Sequence, residues 1–321
     1  MLQLNAESTV KPFIGLSVGV VAVSFAAIFI RWADAPPLAV AAYRLTIASL
    51  ILAPIVWFTA WDELRALTRR DVRLALLSGA FLGLHFAFWI SSLDHTSVAS
   101  SVVFVSTSPL WVGLAAHLFT DEQLTRRTTT GIVVAIVGGI VIGYGDMSIG
   151  ASELWGDALA ILGAVMVAGY FLIGRGLRSK VSLVTYVFLT YSAAAVELLA
   201  IAVLTRQPFT GYTPNTYLMF LLLAVVPQLM GHSSFNWALR YLTATYVAVS
   251  VMGEPVGSTF LAWLLLDESP TVLKVIGGAL ILAGIWASFR GSARGVATRE
   301  EKEAVVTDQL VSDQSSVITG D

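Results

Sequence analysis

The sequence predicts an all-α integral membrane protein whose ten transmembrane helices form two inverted five-helix repeats. Composition, an internal repeat and the placement of positive charge carry that expectation. Of the 321 residues, 56% are hydrophobic and only 12% charged, far from the make-up of a soluble domain. The series Pro109, Ala116, Leu118, Asp121-Glu122, Thr125, Gly131, Gly138 returns 146 residues later as Pro255, Ala262, Leu264, Asp267-Glu268, Thr271, Gly277, Gly284, so that eight of 36 positions coincide. Lys and Arg, finally, gather in alternate loops.

About 20 apolar residues cross a hydrocarbon core of roughly 30 Å. Ten stretches meet that need: 13–33, 38–61, 72–93, 97–119, 129–145, 154–174, 182–204, 215–239, 243–266 and 271–290. The first is too long for the core of a signal peptide, and Pro36 and Pro37 follow its Ala33-Asp34-Ala35 end, a poor context for cleavage. It is therefore read as span one, behind a cytoplasmic segment 1–12. Residues 13–145 make the first repeat, 146–153 a linker and 154–290 the second repeat. Beyond 290 the apolar runs end, and Arg299-Glu300-Glu301-Lys302-Glu303 marks 291–321 as a disordered, solvated cytoplasmic tail.

Orientation follows from charge, because Lys and Arg accumulate in short cytoplasmic loops. Fifteen of the nineteen basic residues fall in one alternating set of loops and termini, three (Arg31, Arg206, Lys274) in the other, and Arg44 lies within span two. Both termini are thus expected in the cytoplasm. Five spans per half is an odd number, so the second copy enters the membrane from the opposite side and the repeat is inverted.

Small residues mark the spans expected to pack most tightly. Gly131, Ala135, Gly139 and Gly143 recur every four residues along span five, and Gly277 and Gly284 lie in span ten. Such stripes let helices approach closely, which suits supporting elements. The pairs Gly15/Gly19, Gly79/Gly83 and Gly253/Gly257 read as close helix contacts for the same reason.

Several function classes are excluded or unsupported. The chain has no cysteine, which removes disulfides, thiolate catalysis and cysteine-based metal sites. HExxH, GxSxG and a Walker lysine are all absent. No catalytic residue, metal site or cofactor is expected, and the protein is not read as an enzyme. The expected partners are the lipid bilayer and a small-molecule substrate, without nucleic acid; oligomeric state is not encoded legibly. Inverted repeats packed about an axis in the membrane plane exchange outward-open and inward-open cavities, the basis of alternating access. A passive channel for a small solute is the alternative.

Tyr43-Arg44 in span two, Pro109 followed by Asp121-Glu122 and Gly131, and Glu254-Pro255 followed by Asp267-Glu268 and Gly277 resemble the drug/metabolite transporter superfamily, specifically its EamA-type permeases. The resemblance covers about residues 13–290. It implies an inner-membrane carrier, often an exporter of amino acids, other small metabolites or toxic organic compounds. It also implies that spans 1, 3, 4, 6, 8 and 9 surround the central path while spans 5 and 10 lie behind them.

Candidate functional residues come from polar and aromatic groups inside apolar spans, where they are costly unless used or paired. Phe81, His85 and Trp89 share one face of span three at i, i+4 and i+8. In span eight, Ser233 and Trp237 correspond to His85 and Trp89, and His232 and Asn236 form a further i, i+4 pair. Tyr246, Ser250 and Glu254 share a helical face in span nine. The cavity lining is accordingly assigned to His85, Trp89, Trp111, Asn236, Tyr246, Ser250 and Glu254. Two readings of Glu254 are open: it binds a substrate amine or takes a coupling proton, or it receives backbone N–H groups freed at Pro255. Pro109 and Pro255, at equivalent positions, are read as paired hinges; Ser108 stands where Glu254 stands in the second copy. Arg44 is expected to snorkel towards the interface, with an Arg44–Glu197 pair as a further structural idea. His117 reads as interfacial, and Arg31 and Asp34 as a solvated turn or part of a gate.

Overall fold

The computed structural model describes residues 6–96, 98–119, 125–144, 151–266, 271–273 and 275–288. Among them the regular structure is helical, with no strand. The first half comprises α1 (Ala6–Ser24), α2 (Ala26–Ala33), α3 (Pro37–Thr59), α4 (Trp61–Ala66), α5 (Arg69–Ser92), α6 (Val98–Val105), α7 (Ser108–Phe119) and α8 (Arg126–Tyr144). The second comprises α9 (Ala151–Arg178), α10 (Leu183–Leu204), α11 (Pro214–Leu223), a π-helical stretch Ala224–His232, α12 (Ser233–Ala238), α13 (Ala244–Val251), α14 (Glu254–Leu266) and α15 (Val275–Ser288). Each apolar stretch of the sequence is mostly helical over its described residues. Seven segments among the described residues are long and apolar enough to cross a membrane, and Ser108–Phe119 and Val275–Ser288 are shorter apolar helices. The acidic pairs Asp121-Glu122 and Asp267-Glu268, and the tail 291–321, lie outside the described residues.

Local chemistry sets where the helices start and break. Thr68, Ser182, Thr213 and Thr243 cap α5, α10, α11 and α13, each accepting from the backbone N–H three residues on. Pro37 and Pro214 open α3 and α11, where a missing N–H is not needed. Proline also opens two spans from within. Pro109 and Pro255 are the second residues of α7 and α14, each just after a break at Ser106-Thr107 or Met252-Gly253. Pro227 instead sits inside a continuous helix, where its missing N–H and bulky ring disrupt the α ladder and the chain widens into a π-turn.

Helices of the first half pack largely on helices of the second. Helix α5 lies on α9 while α1 lies on the π-helical stretch and α12; α7 lies on α9 while α1 lies on α14; α3 pairs with α10, and α7 with α13. Helices α8 and α15 meet through their glycines. A Cβ at Gly131 would strike the carbonyl of Gly284, and one at Gly138 would strike the carbonyl of Gly277. Because Gly131 corresponds to Gly277 and Gly138 to Gly284, the contact is self-complementary, and the two helices run in opposite directions where they cross.

The other glycine pairs are helix contacts as well. Gly15 and Gly19 face Trp237 and Phe235, Gly79 and Gly83 face Thr190 and Glu197, and Gly253 and Gly257 face Val20 and Ser24. The Arg44–Glu197 pair does not form. The Glu197 carboxylate lies against Gly83 instead, with its Oε2 buried and unbonded.

One loop end is clasped to another. The Glu63 carboxylate of α4 accepts bonds from Ser182 N at 2.7 Å, Ser182 Oγ and Thr185 Oγ1, and Lys180 is paired with Asp71. Burial acts to raise the Glu63 pKa, but the Ser182 and Thr185 bonds and the Arg178 charge outweigh it and hold it below 4.5. A depressed folded-state value means the clasp stabilises fully above the ordinary carboxylate range and is lost as pH falls through the lowered value. Glu63→Gln is expected to lower the melting temperature of the purified protein by a few degrees at neutral pH, with the gap from wild type closing in acid. A gap that is the same at pH 7 and pH 3 would refute this assignment.

Candidate functional site

The breaks in the helices frame a narrow cavity of about 40 Å³, room for a few waters and less than a small-molecule site needs, so a solute enters only as it widens. Val105, Ser106 and Ser108 line it from the α6–α7 break, and Val251, Met252 and Glu254 from the α13–α14 break. Those triplets are repeat equivalents, each pair 146 residues apart. Val23 and Ala26 reach it from α1 and α2, His85 and Trp89 from α5, Val167 and Phe171 from α9, and His232 and Phe235 from the π-helical stretch and α12. The elements are those of spans 1, 3, 4, 6, 8 and 9, with one addition: Arg44 of α3.

Arg44 does not snorkel. It is 1% exposed, its Nε donates to Gln228 Oε1 at 2.8 Å, and its guanidinium lies 4.2 Å over the Phe86 ring. Gln228 comes from the π-helical stretch, directly after Pro227. Glu254 is the opposite charge on the same cavity. Among the described residues the two form no ion pair, and the Glu254 carboxylate accepts no hydrogen bond, including any from backbone N–H groups near Pro255.

The aromatic wall is ordered by hydrogen bonds and by packing. His85 Nδ1 lies 2.9 Å from Gly163 O; a carbonyl only accepts, so Nδ1 carries the proton and a neutral ring presents Nε2 as an acceptor. The His85 and Trp89 rings stack with centroids 6.0 Å apart. Trp89 Nε1 and His232 Nδ1 are buried without partners.

The remaining assigned residues sit elsewhere. Asn236 is fully buried and donates to the hydroxyls of Tyr170 and Tyr191. Trp111 Nε1 donates to Thr107 Oγ1 at 3.2 Å. Ser250 Oγ donates to Tyr246 O at 2.9 Å, and the Tyr246 hydroxyl is directed at Ser288 O of α15. Phe81 packs over Gly169 and Trp237 over Gly15. Arg31, Asp34 and His117 are exposed. Thus the cavity gathers His85, Trp89 and Glu254 from the sequence-assigned set, and adds Arg44, His232, Phe171 and Phe235.

Several membrane-crossing helices gathered around a polar and aromatic cavity define a multi-pass membrane protein of the class that includes transporters. The chain is a member of the EamA-like transporter family, whose profile matches it twice, over residues 11–144 and 154–290. Among curated relatives, an uncharacterized transporter of Archaeoglobus fulgidus is 24% identical over 82% of this chain and 91% of its own. The pseudopaline exporter CntI of Pseudomonas aeruginosa is 27% identical over 70% of this chain and 78% of its own. A solved structure, 18% identical, superposes with a TM-score of 0.74 over 87% of this chain and 96% of that one, a likeness of fold.

Proposed function

We propose that the protein carries a small organic solute, such as an amino acid, metabolite or drug-like compound, across the cell membrane by alternating access, in the direction of export. The observation that carries this reading is the cavity's location between equivalent helix breaks of two halves whose last helices, α8 and α15, cross antiparallel through equivalent glycines. That arrangement supports two inverted five-helix repeats, 13–145 and 154–290, joined by a linker 146–153, with both termini cytoplasmic. Pro109 and Pro255 sit at the start of α7 and α14 and serve as the hinges about which the cavity opens to one side or the other. Glu254, the acid present in one half only, is the coupling site. An exporter among the curated relatives supports the outward direction.

Liposomes containing the protein, loaded with amino acids or organic cations, test this directly. Saturable flux accelerated by unlabelled solute on the opposite side is expected; linear flux without acceleration is the signature of a channel and would remove the carrier reading. Orientation has its own test. Because the chain lacks cysteine, single cysteines placed at Arg65 and Arg206 should react with an impermeant thiol reagent from the cytoplasmic side and the outer side respectively. Labelling of both from one side refutes the topology.

A further inference from the structure

The cavity holds a charge whose strongest donors meet nothing. Arg44 is buried, and only its Nε is hydrogen-bonded; neither Nη1 nor Nη2 has a partner among the described residues. Buried donors left unbonded are rare in folded proteins and call for an explanation. Trp89 Nε1, a second buried donor without a partner, lines the same cavity. Glu254 lines it too but is out of ion-pair contact with Arg44.

The free edge of the guanidinium is a rigid pair of N–H groups that matches the two oxygens of a carboxylate. Its Nε is anchored on Gln228 and its face rests on Phe86, so the free edge is held in place before a ligand arrives. A solute that is only cationic would leave this edge unmatched and be repelled by it. A phosphate dianion would bring excess negative charge beside Glu254. A solute with one carboxylate and one cationic group satisfies both charges. We propose that Arg44, assisted by Trp89, receives the carboxylate of the carried solute, and that the solute's cationic group is directed at Glu254. This rests on the reading of the cavity as the transport site.

The test measures binding and flux separately. The purified protein is heated with a panel of L-α-amino acids, their methyl esters and the matching decarboxylated amines. At least one amino acid should stabilise the protein, with its ester and amine at least about tenfold weaker. Arg44→Gln should abolish that preference, and Arg44→Lys should restore it in part, since it keeps the charge and loses the paired donors. Trp89→Phe, which keeps the ring and removes the N–H, should weaken the acid severalfold and leave the amine unchanged, a result independent of whether the Arg44 variants fold. Esters or amines that bind as well as the acids, an acid preference that survives Arg44→Gln, or no stabilisation by any amino acid would each overturn the assignment. Counterflow in liposomes distinguishes the two levels. Acid-selective binding without counterflow would leave Arg44 as the carboxylate site and remove the carrier reading; counterflow of amines without acid preference would do the reverse.

Discussion

Gly284→Leu is expected to eliminate the folded protein from detergent extracts, while Gly284→Ala lowers its melting temperature by several degrees. At this position a Cβ would meet the carbonyl oxygen of Gly131 and the amide nitrogen and Cβ of Ala135. Two of these are backbone atoms of α8, which cannot rotate away as a side-chain tip does. Overpacking a close contact commonly costs about 1–3 kcal/mol. Here the cost extends beyond the site, since α8 and α15 can relieve it only by separating along their common length. In a membrane no hydrophobic effect draws the helices back together, so van der Waals contact and close approach are what hold such a pair. Gly176→Ala provides the control: it is exposed in α9 with nothing within 4 Å of an added Cβ, and alanine favours a helix over glycine by up to about 1 kcal/mol. Size-exclusion profiles and melting curves of the three variants decide the matter. A monodisperse, wild-type-like Gly284→Leu protein would mean that the α8–α15 contact does not secure the fold.

The helical stretches were legible because their signal is local: an apolar run long enough for a bilayer states its own position whatever packs beside it. The break points were legible for the same reason, since Pro109 and Pro255 carry their geometry in the ring. What failed to transfer was the counting of helix faces across those breaks. Tyr246, Ser250 and Glu254 lie four residues apart, but the break at Met252-Gly253 interrupts the face, so that Glu254 reaches the cavity while Ser250 bonds the backbone of its own helix. In span eight the π-turn at Ala224–His232 changes the residues per turn, and the α-helical phase no longer holds. His232 and Phe235 line the cavity, and Trp237 packs on Gly15. Pro227 was the available sign of that change. Arg44 was hidden differently. Chain position gives the depth of a residue in a span but not its direction around the helix, and the Gln228 that receives Arg44 lies 184 residues away in sequence.

Glu254→Gln is expected to keep saturable exchange of solute while losing all response to an imposed pH gradient. Glutamine retains the size of the side chain and its hydrogen-bonding groups but cannot bind and release a proton. In the cavity Glu254 accepts no hydrogen bond from a described residue and makes no ion pair with Arg44, so under the proposed reading its carboxylate exchanges a solute's cationic group for a proton as the cavity changes sides. Two ligands that compete for one acid cannot be carried together, so under the proposed reading the coupling is antiport, and a proton is expected to move inward as solute moves out. Ser108 stands at the equivalent position of the first half, so a single acid implies one proton per solute. One pH unit is worth 1.36 kcal/mol, about a tenfold ratio in concentration. Wild-type vesicles with a gradient of one unit should therefore concentrate a solute of no net charge up to about tenfold when the membrane potential is clamped at zero, and Glu254→Gln vesicles should only equilibrate it. Equal accumulation by the two proteins would place coupling elsewhere in the chain. Equilibration by both would make the protein a facilitator, with Glu254 binding the solute and nothing more.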